Sequence, residues 1–313
     1  MYKNLVKIPT LDMRHEEWLK HRQKSIGGSD AASILGLNPW SSPYSVWADK
    51  LGKLPPKEDN ESMRQGRDLE FYVAQRFSEQ SGKKVRRENY IIVNPDYPFA
   101  HANVDRLVIG EDAGLECKTT STLNMKNFKN GAFPDTYYVQ CVHYMMVTGC
   151  KKWYLAVLVL NKEFMVFEIE RDEEEIEALA KSEAEFWKLV EAKQAPCVDG
   201  NTSTSNAITA LYPESNDDSV SLLAYETELQ SYMGLTAQIR ELEKLRDEAA
   251  NKVKAFLGEA GRGESDRYKV TWASAQRSTF DSKRFAQDNS HIDLSEYYKN
   301  STYRTFKVTE KTN

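Results

Sequence analysis

The stretch GLECKTTS, residues 114–121, decides how this chain is read. It has the look of a buried strand, yet Glu116 and Lys118 stand one residue apart, where an extended backbone puts both side chains on the same face. Alone, such a pair is common as a salt bridge on a solvated face. Its surroundings give it more weight. Upstream, HANVDRLVI (101–109) places Asp105 in a strand 11 residues before Glu116, a distance that suits neighbouring strands joined by the turn GEDAG. Three ionisable groups then converge on one sheet edge. Asp105 and Glu116 are hard oxygen donors of the kind that hold a divalent cation such as Mg²⁺. Lys118 beside them is placed to hold a water for attack on a phosphodiester.

The flanking pattern predicts an α/β fold. Helices are expected through Arg22, from near Ser29 after the turn at Gly27-Gly28, and after NPWSSP, with Trp47 and Leu51 on one face. In ESMRQGRDLEFYVAQRFSEQSG, Leu69, Val73 and Phe77 form an apolar face that Gly82 terminates. The segments ENYIIVNP, FAHANVDRLVI, AGLECKTT, KKWYLAVLVL and EFMVFEIE read as strands. Between the third and fourth, Tyr137, Cys141, Tyr144 and Thr148 recur at helical spacing. A last core helix begins with Asp172 and Glu175 at capping-box spacing and ends near Pro196. The expected organisation is a core over 1–197 with a mixed central sheet flanked by helices, a polar linker at 198–221, and an extension at 222–313. The extension pairs a long helix of coiled-coil appearance with a small β module containing RYKVTWASAQRSTFDSKRF and YRTFKV.

The chain has 313 residues, 40% of them hydrophobic, and a net charge of −5. The total hides an uneven distribution: residues 1–130 carry +3, 131–261 carry −11 and 262–313 carry +3. A neutral-to-basic front permits contact with DNA without requiring it. No apolar run reaches membrane-spanning length and the start lacks a secretory pattern, so a cytoplasmic protein with no membrane partner is expected. The four cysteines form no metal-ligand spacing and read as free buried thiols. His101 and His143 are assigned no role. Trp40, Tyr44 and Trp47 read first as core and second as a stacking platform for a splayed base.

Taken in order, HRQKSIGGSDAASILGLNPW, GRDLE, NVDRLV, LECKT and YYVQCVHYMMVTG resemble the motifs of the PD-(D/E)xK nucleases, and within them the lambda-exonuclease-like YqaJ viral recombinases. The resemblance spans about residues 14–190. It implies a restriction-endonuclease-like core in which Asp105 and Glu116 ligate the metal, the main-chain carbonyl of Cys117 completes the shell, and Lys118 positions the nucleophilic water. Glu70 would add a carboxylate, directly or through water. Gln140 matches the family's helix glutamine and forms a QxxxY spacing with Tyr144, although relatives often carry a second glutamine where this chain has Val142. Arg22 and Ser29 match the pair that grips a 5′-terminal phosphate, with Ser29 read as an N-cap.

The activity implied is a Mg²⁺-dependent 5′→3′ exonuclease on double-stranded DNA ends, with Mn²⁺ as a substitute, leaving 3′ overhangs for phage-type recombination. A trimeric ring and a single-strand annealing partner protein are implied with it, as is a phage or prophage origin within a bacterial host. Two rivals stand beside this reading: a RecB-like or structure-specific PD-(D/E)xK nuclease, and a non-catalytic DNA-end-binding scaffold.

Overall fold

A computed structural model describes residues 4–56, 59–299 and 302–311. The described chain forms two compact units, 1–212 and 213–313.

In the first unit a short strand β1 (Val6–Pro9) precedes α1 (His15–Gln23), β2 (Ile26–Gly27), α2 (Gly28–Ile34), α3 (Pro43–Lys50) and α4 (Glu61–Ser81). Five strands follow: β3 (Val85–Arg87), β4 (Tyr90–Val93), β5 (Ala100–Ala102), β6 (Arg106–Val108) and β7 (Ala113–Thr120). After a kinked 3-10 segment at Thr122–Gly131 come α5 (Asp135–Thr148), β8 (Lys152–Val159), β9 (Glu163–Glu170), α6 (Glu173–Glu191) and α7 (Thr202–Leu211). The strands make two sheets rather than one. The larger has the order β3-β6-β7-β8-β9, and the smaller runs β1-β4-β5-β2. The larger sheet is mixed: β7 and β8 run parallel, joined through α5, and its other pairs are antiparallel.

Alternation along β7 sorts its side chains. Leu115 and Cys117 face α4, where Val73, Phe77 and Ala156 complete a cluster. Glu116 and Lys118 lie on the opposite face, toward α5, which is buried along Val139–Thr148. Gly114, at the start of the strand, leaves room for the Trp153 ring paired beside it, and a β-carbon there would collide with that ring. Sequence reasoning put Asp105 inside one long strand, FAHANVDRLVI. Instead the chain bends between β5 and β6 and passes from the small sheet to the large one, with Asp105 at the bend.

Two other expectations are corrected. The stretch expected as a linker holds α7, whose Thr204 and Ala207 are buried, with Thr204 Oγ1 donating to Ser42 Oγ at 2.7 Å. The compact first unit therefore runs to Tyr212 rather than ending at 197. At the start of α6, Asp172 accepts from the amides of Glu174 and Glu175, but the Glu175 carboxylate accepts from Tyr138 Oη at 2.6 Å instead of closing a capping box.

The second unit contains the long helix α8 (Glu226–Leu257), a hairpin of β10 (Arg262–Glu264) and β11 (Lys269–Thr271), and α9 (Ser282–Asp288). Strand content is lower than predicted. The DSKRF end of the expected strand region is helical, and YRTFKV contains no strand. Among the described residues no helix is long and apolar enough to cross a membrane.

Candidate active site

Pairing of β6 with β7 ends at Arg106 opposite Leu115. Beyond that point the Cys117 amide lacks a β6 partner, and it donates to Asp105 Oδ2 at 2.8 Å. One backbone hydrogen bond thus fastens Asp105 to the strand position between Glu116 and Lys118. On the other side, Lys118 Nζ lies 2.6 Å from Glu116 Oε1 and donates to Gln140 Oε1 at 2.9 Å. The amide nitrogen of Gln140 donates to Glu116 Oε1 at 2.9 Å and to Tyr144 Oη at 2.8 Å. Lys118 also sits over the Tyr137 ring, 5.3 Å from its centroid. The expected residues Asp105, Glu116, Lys118 and Gln140 are brought together, and Tyr144 joins them from one turn along α5.

Glu70, expected to add a carboxylate directly or through water, reaches the cluster from α4. It is ion-paired to Arg106 Nη1, which also donates to the main-chain oxygen of Asp105 at 2.7 Å. Glu70 therefore connects to the cluster through Arg106.

The electrostatics follow from crowding carboxylates. Burial, then the charges of Glu116 and Glu70, push the Asp105 carboxyl well above the usual carboxylate range. For Lys118, burial works against the charge, but Glu116 and Asp105 outweigh it and hold the ammonium above its ordinary value. Burial and the same two carboxylates push the Tyr144 phenol up.

Among the described residues no three His, Cys, Asp or Glu side chains are spaced to hold a metal by themselves. The available donor set is two carboxylates, Asp105 and Glu116, with the Cys117 carbonyl on the strand between them. That set fits a hard cation that keeps several of its waters. One atom supports the fit directly: Glu116 Oε2 is buried and has no hydrogen-bond partner. A lone carboxylate oxygen in that state is costly unless a ligand completes it.

A second group of polar residues lies at the start of α2. Arg22 Nη2 donates to Ser29 Oγ at 3.0 Å and stands 3.5 Å from Asp30 Oδ1. Ser29 is not an N-cap, because α2 begins at Gly28 and its N-cap is Gly27. Asp30 closes this end instead, accepting from the Gly27 amide at 3.0 Å. Lys50 Nζ bridges Asp30 Oδ2 at 2.6 Å and the Arg22 carbonyl at 2.7 Å. Burial opposes ionisation of Asp30 most strongly, yet Lys50 and Arg22 together hold its carboxyl well below the usual range. The Ser29 hydroxyl, released from capping, faces the guanidinium.

Gly28 joins the two groups. A β-carbon there would lie 2.7 Å from Tyr144 Cε1 and 3.2 Å from Gln140 Cγ. The GGS turn is thus a point of close approach to the helix that carries Gln140.

Sequence reasoning missed Asp30, Lys50 and Arg106. Asp30 could have been found as the third residue of a helix opened by glycine, but nothing local marks Lys50 as buried. Tyr44 and Trp47 are core, Trp40 is exposed, and Cys197, expected to be buried, is exposed. His143 is buried against Glu183, Nδ1 to Oε1 2.7 Å, and its Nε2 meets the His101 carbonyl at 2.9 Å.

The model of the YqaJ-like viral recombinase domain matches residues 17–151. A Bacillus subtilis (strain 168) protein described as uncharacterized protein YqaJ is 39% identical over 306 residues, covering 96% of this chain and 95% of that one. Among solved structures, the alkaline exonuclease LHK-Exo from Laribacter hongkongensis, in complex with dAMP, is 23% identical with a TM-score of 0.50, covering 57% of this chain and 94% of that chain. The likeness shows a shared PD-(D/E)xK-type fold, a mixed sheet flanked by helices.

Proposed function

Since the chain belongs to the YqaJ-like viral recombinase family, we propose that it is a divalent-metal-dependent deoxyribonuclease that degrades one strand of double-stranded DNA from the 5′ end. Its product is a 3′ single-stranded overhang suited to recombination by annealing. The observation that carries this reading is the buried, unpartnered Glu116 Oε2 beside the like-charged Asp105, with the Lys118 ammonium 2.6 Å from the other Glu116 oxygen.

In this reading Asp105, Glu116 and the Cys117 carbonyl hold Mg²⁺, with Mn²⁺ able to replace it. The cation supplies Lewis acidity toward the scissile phosphoryl group. The side chains do the positioning. Lys118, kept protonated by Glu116, directs an attacking water and presents positive charge where the phosphoryl oxygens gain negative charge. Gln140 fixes both ends of that arrangement, accepting from Lys118 and donating to Glu116. Arg106 ties Glu70 to the Asp105 backbone and keeps the bend in place. Arg22 and Ser29 receive the terminal 5′-phosphate, the guanidinium offering a fork of donors and Lys50 and Asp30 fixing its direction.

The test is digestion of linear duplex bearing 5′-phosphate or 5′-hydroxyl ends, with and without Mg²⁺, by the parent, Asp105→Ala and Lys118→Ala. The expected result is rapid resection of phosphorylated ends only with metal, slowed by about 10²-fold or more in either variant. Equal rates for parent and variants would remove Asp105 and Lys118 from the chemistry. Equal rates on the two kinds of end would remove the 5′-phosphate role of Arg22 and Ser29.

A further inference from the structure

Helix α8 spans 32 residues and buries none of them fully. Helical segments of ordinary sequence owe most of their stability to packing of an apolar face. Here that face is left open: Leu235 and Ile239 are each 57% exposed, Leu242 65% and Phe256 92%. The residues follow a seven-residue repeat. Tyr232, Leu235, Ile239, Leu242, Arg246, Ala249, Val253 and Phe256 alternate spacings of three and four, the seam of a two-stranded coiled coil. Arg246 is the one charged member, and at the end of the seam Tyr232 packs edge-on against Phe306, centroids 5.4 Å apart.

We propose that α8 pairs with α8 of a second copy of this chain as an antiparallel coiled coil centred near Lys244. Two features of the helix select that occupant and direction. The first is register. In an antiparallel pair every seam residue of one repeat position meets one of the other, and a single alignment matches all of them: Tyr232 with Phe256, Leu235 with Val253, Ile239 with Ala249, and Leu242 with Arg246. A parallel pair would set Arg246 against its own copy in the seam, whereas here it meets Leu242 and lies beside Glu243 of the second copy. The second feature is charge. Residues 226–243 carry four acidic side chains and one basic, a net −3, while 244–257 carry four basic and two acidic, a net +2. Antiparallel pairing lays the acidic half on the basic half and opposes the two helix dipoles.

The test uses the full chain and does not depend on nuclease activity. Light scattering after gel filtration should give the Leu235→Glu/Leu242→Glu variant half the mass of the parent, since both positions are exposed and lie outside the packed first unit. Direction is read by single substitutions in a Cys197→Ser background, which removes the exposed native thiol. Under mild oxidation Leu245→Cys, beside the two-fold axis of the antiparallel pair, should cross-link copies, and Leu242→Cys should not. Cross-linking through Leu242→Cys alone would establish a parallel pair and overturn the alignment. Equal masses for parent and double variant would overturn self-pairing and leave the stripe to a different protein.

Discussion

Gly28 packs against Tyr144 so closely that the smallest side chain would not fit: its β-carbon would stand 2.7 Å from the ring's Cε1 and 3.2 Å from Gln140 Cγ. Tyr144 is itself buried and hydrogen-bonded to Gln140, so it cannot swing aside without disturbing the contacts to Glu116 and Lys118. Gly28→Ala should therefore force α2 and α5 apart. The expected cost is about 1–3 kcal/mol of stability, read by urea denaturation, with a loss of nuclease rate larger than the stability change explains. A variant with parent-like rate and stability would show that the two helices adjust freely.

The Lys118–Gln140–Glu116 triangle predicts coupling. In the proposed mechanism Lys118→Ala removes the charge near the reacting phosphoryl group, while Gln140→Ala leaves Lys118 held by Glu116 and the Tyr137 ring. Each should slow cleavage, Lys118→Ala by about 10²–10³-fold. The double variant should be little slower than Lys118→Ala, because residues acting as a unit are non-additive. Multiplying effects in single-turnover digestion would indicate independent roles.

The site was legible where its chemistry is local and periodic. Glu116 and Lys118 share a strand face, which alternation alone shows, and helical spacing marks α5 through Tyr137, Cys141 and Tyr144, while Gln140 was singled out by the family resemblance. Asp105 was expected within a strand and stands instead at a bend, because the β-rich run through Val108 hides the turn between the sheets. Lys50 and Arg106 were invisible: each is a charged residue buried by a partner 20 to 36 positions away, Asp30 for one and Glu70 for the other. No local pattern encodes such a pairing. Helix α7 was missed because its Ser, Thr and Asn content has the composition of a loop, and only packing on α3 makes it helical.

Crowding of negative charge at Asp105 has an energetic signature. Its folded-state pKa is raised, so without metal the folded protein binds a proton that the unfolded chain releases. The stability this contributes is complete below the unfolded value of about 3.9 and is lost as pH rises through the folded value. Asp105→Asn, which still offers an oxygen to the Cys117 amide, should therefore raise the metal-free melting temperature at alkaline pH while abolishing activity. Mg²⁺ should raise the parent's melting temperature and leave that of the variant nearly unchanged. A variant less stable than the metal-free parent at alkaline pH would contradict the crowding.

His101 supplies a pH dependence of opposite sign. It is buried with Nδ1 paired to Ser25 Oγ at 2.8 Å, and burial, aided by the nearby Lys50 charge, lowers its pKa to about 3. In the unfolded chain the imidazole takes up its proton near pH 6.5. Between these values the unfolded state holds the extra proton, so the contribution of neutral His101 is complete above about 6.5 and is lost as pH falls toward 3. The slope from one such group is at most about 1.4 kcal/mol per pH unit. Urea denaturation between pH 7 and 5 should show the parent losing stability, and His101→Gln, which titrates no proton there, should follow a flatter curve even if it starts lower. Parallel curves for the two proteins would mean that His101 gains its proton in the folded state as readily as in the unfolded one, and would overturn the lowered pKa.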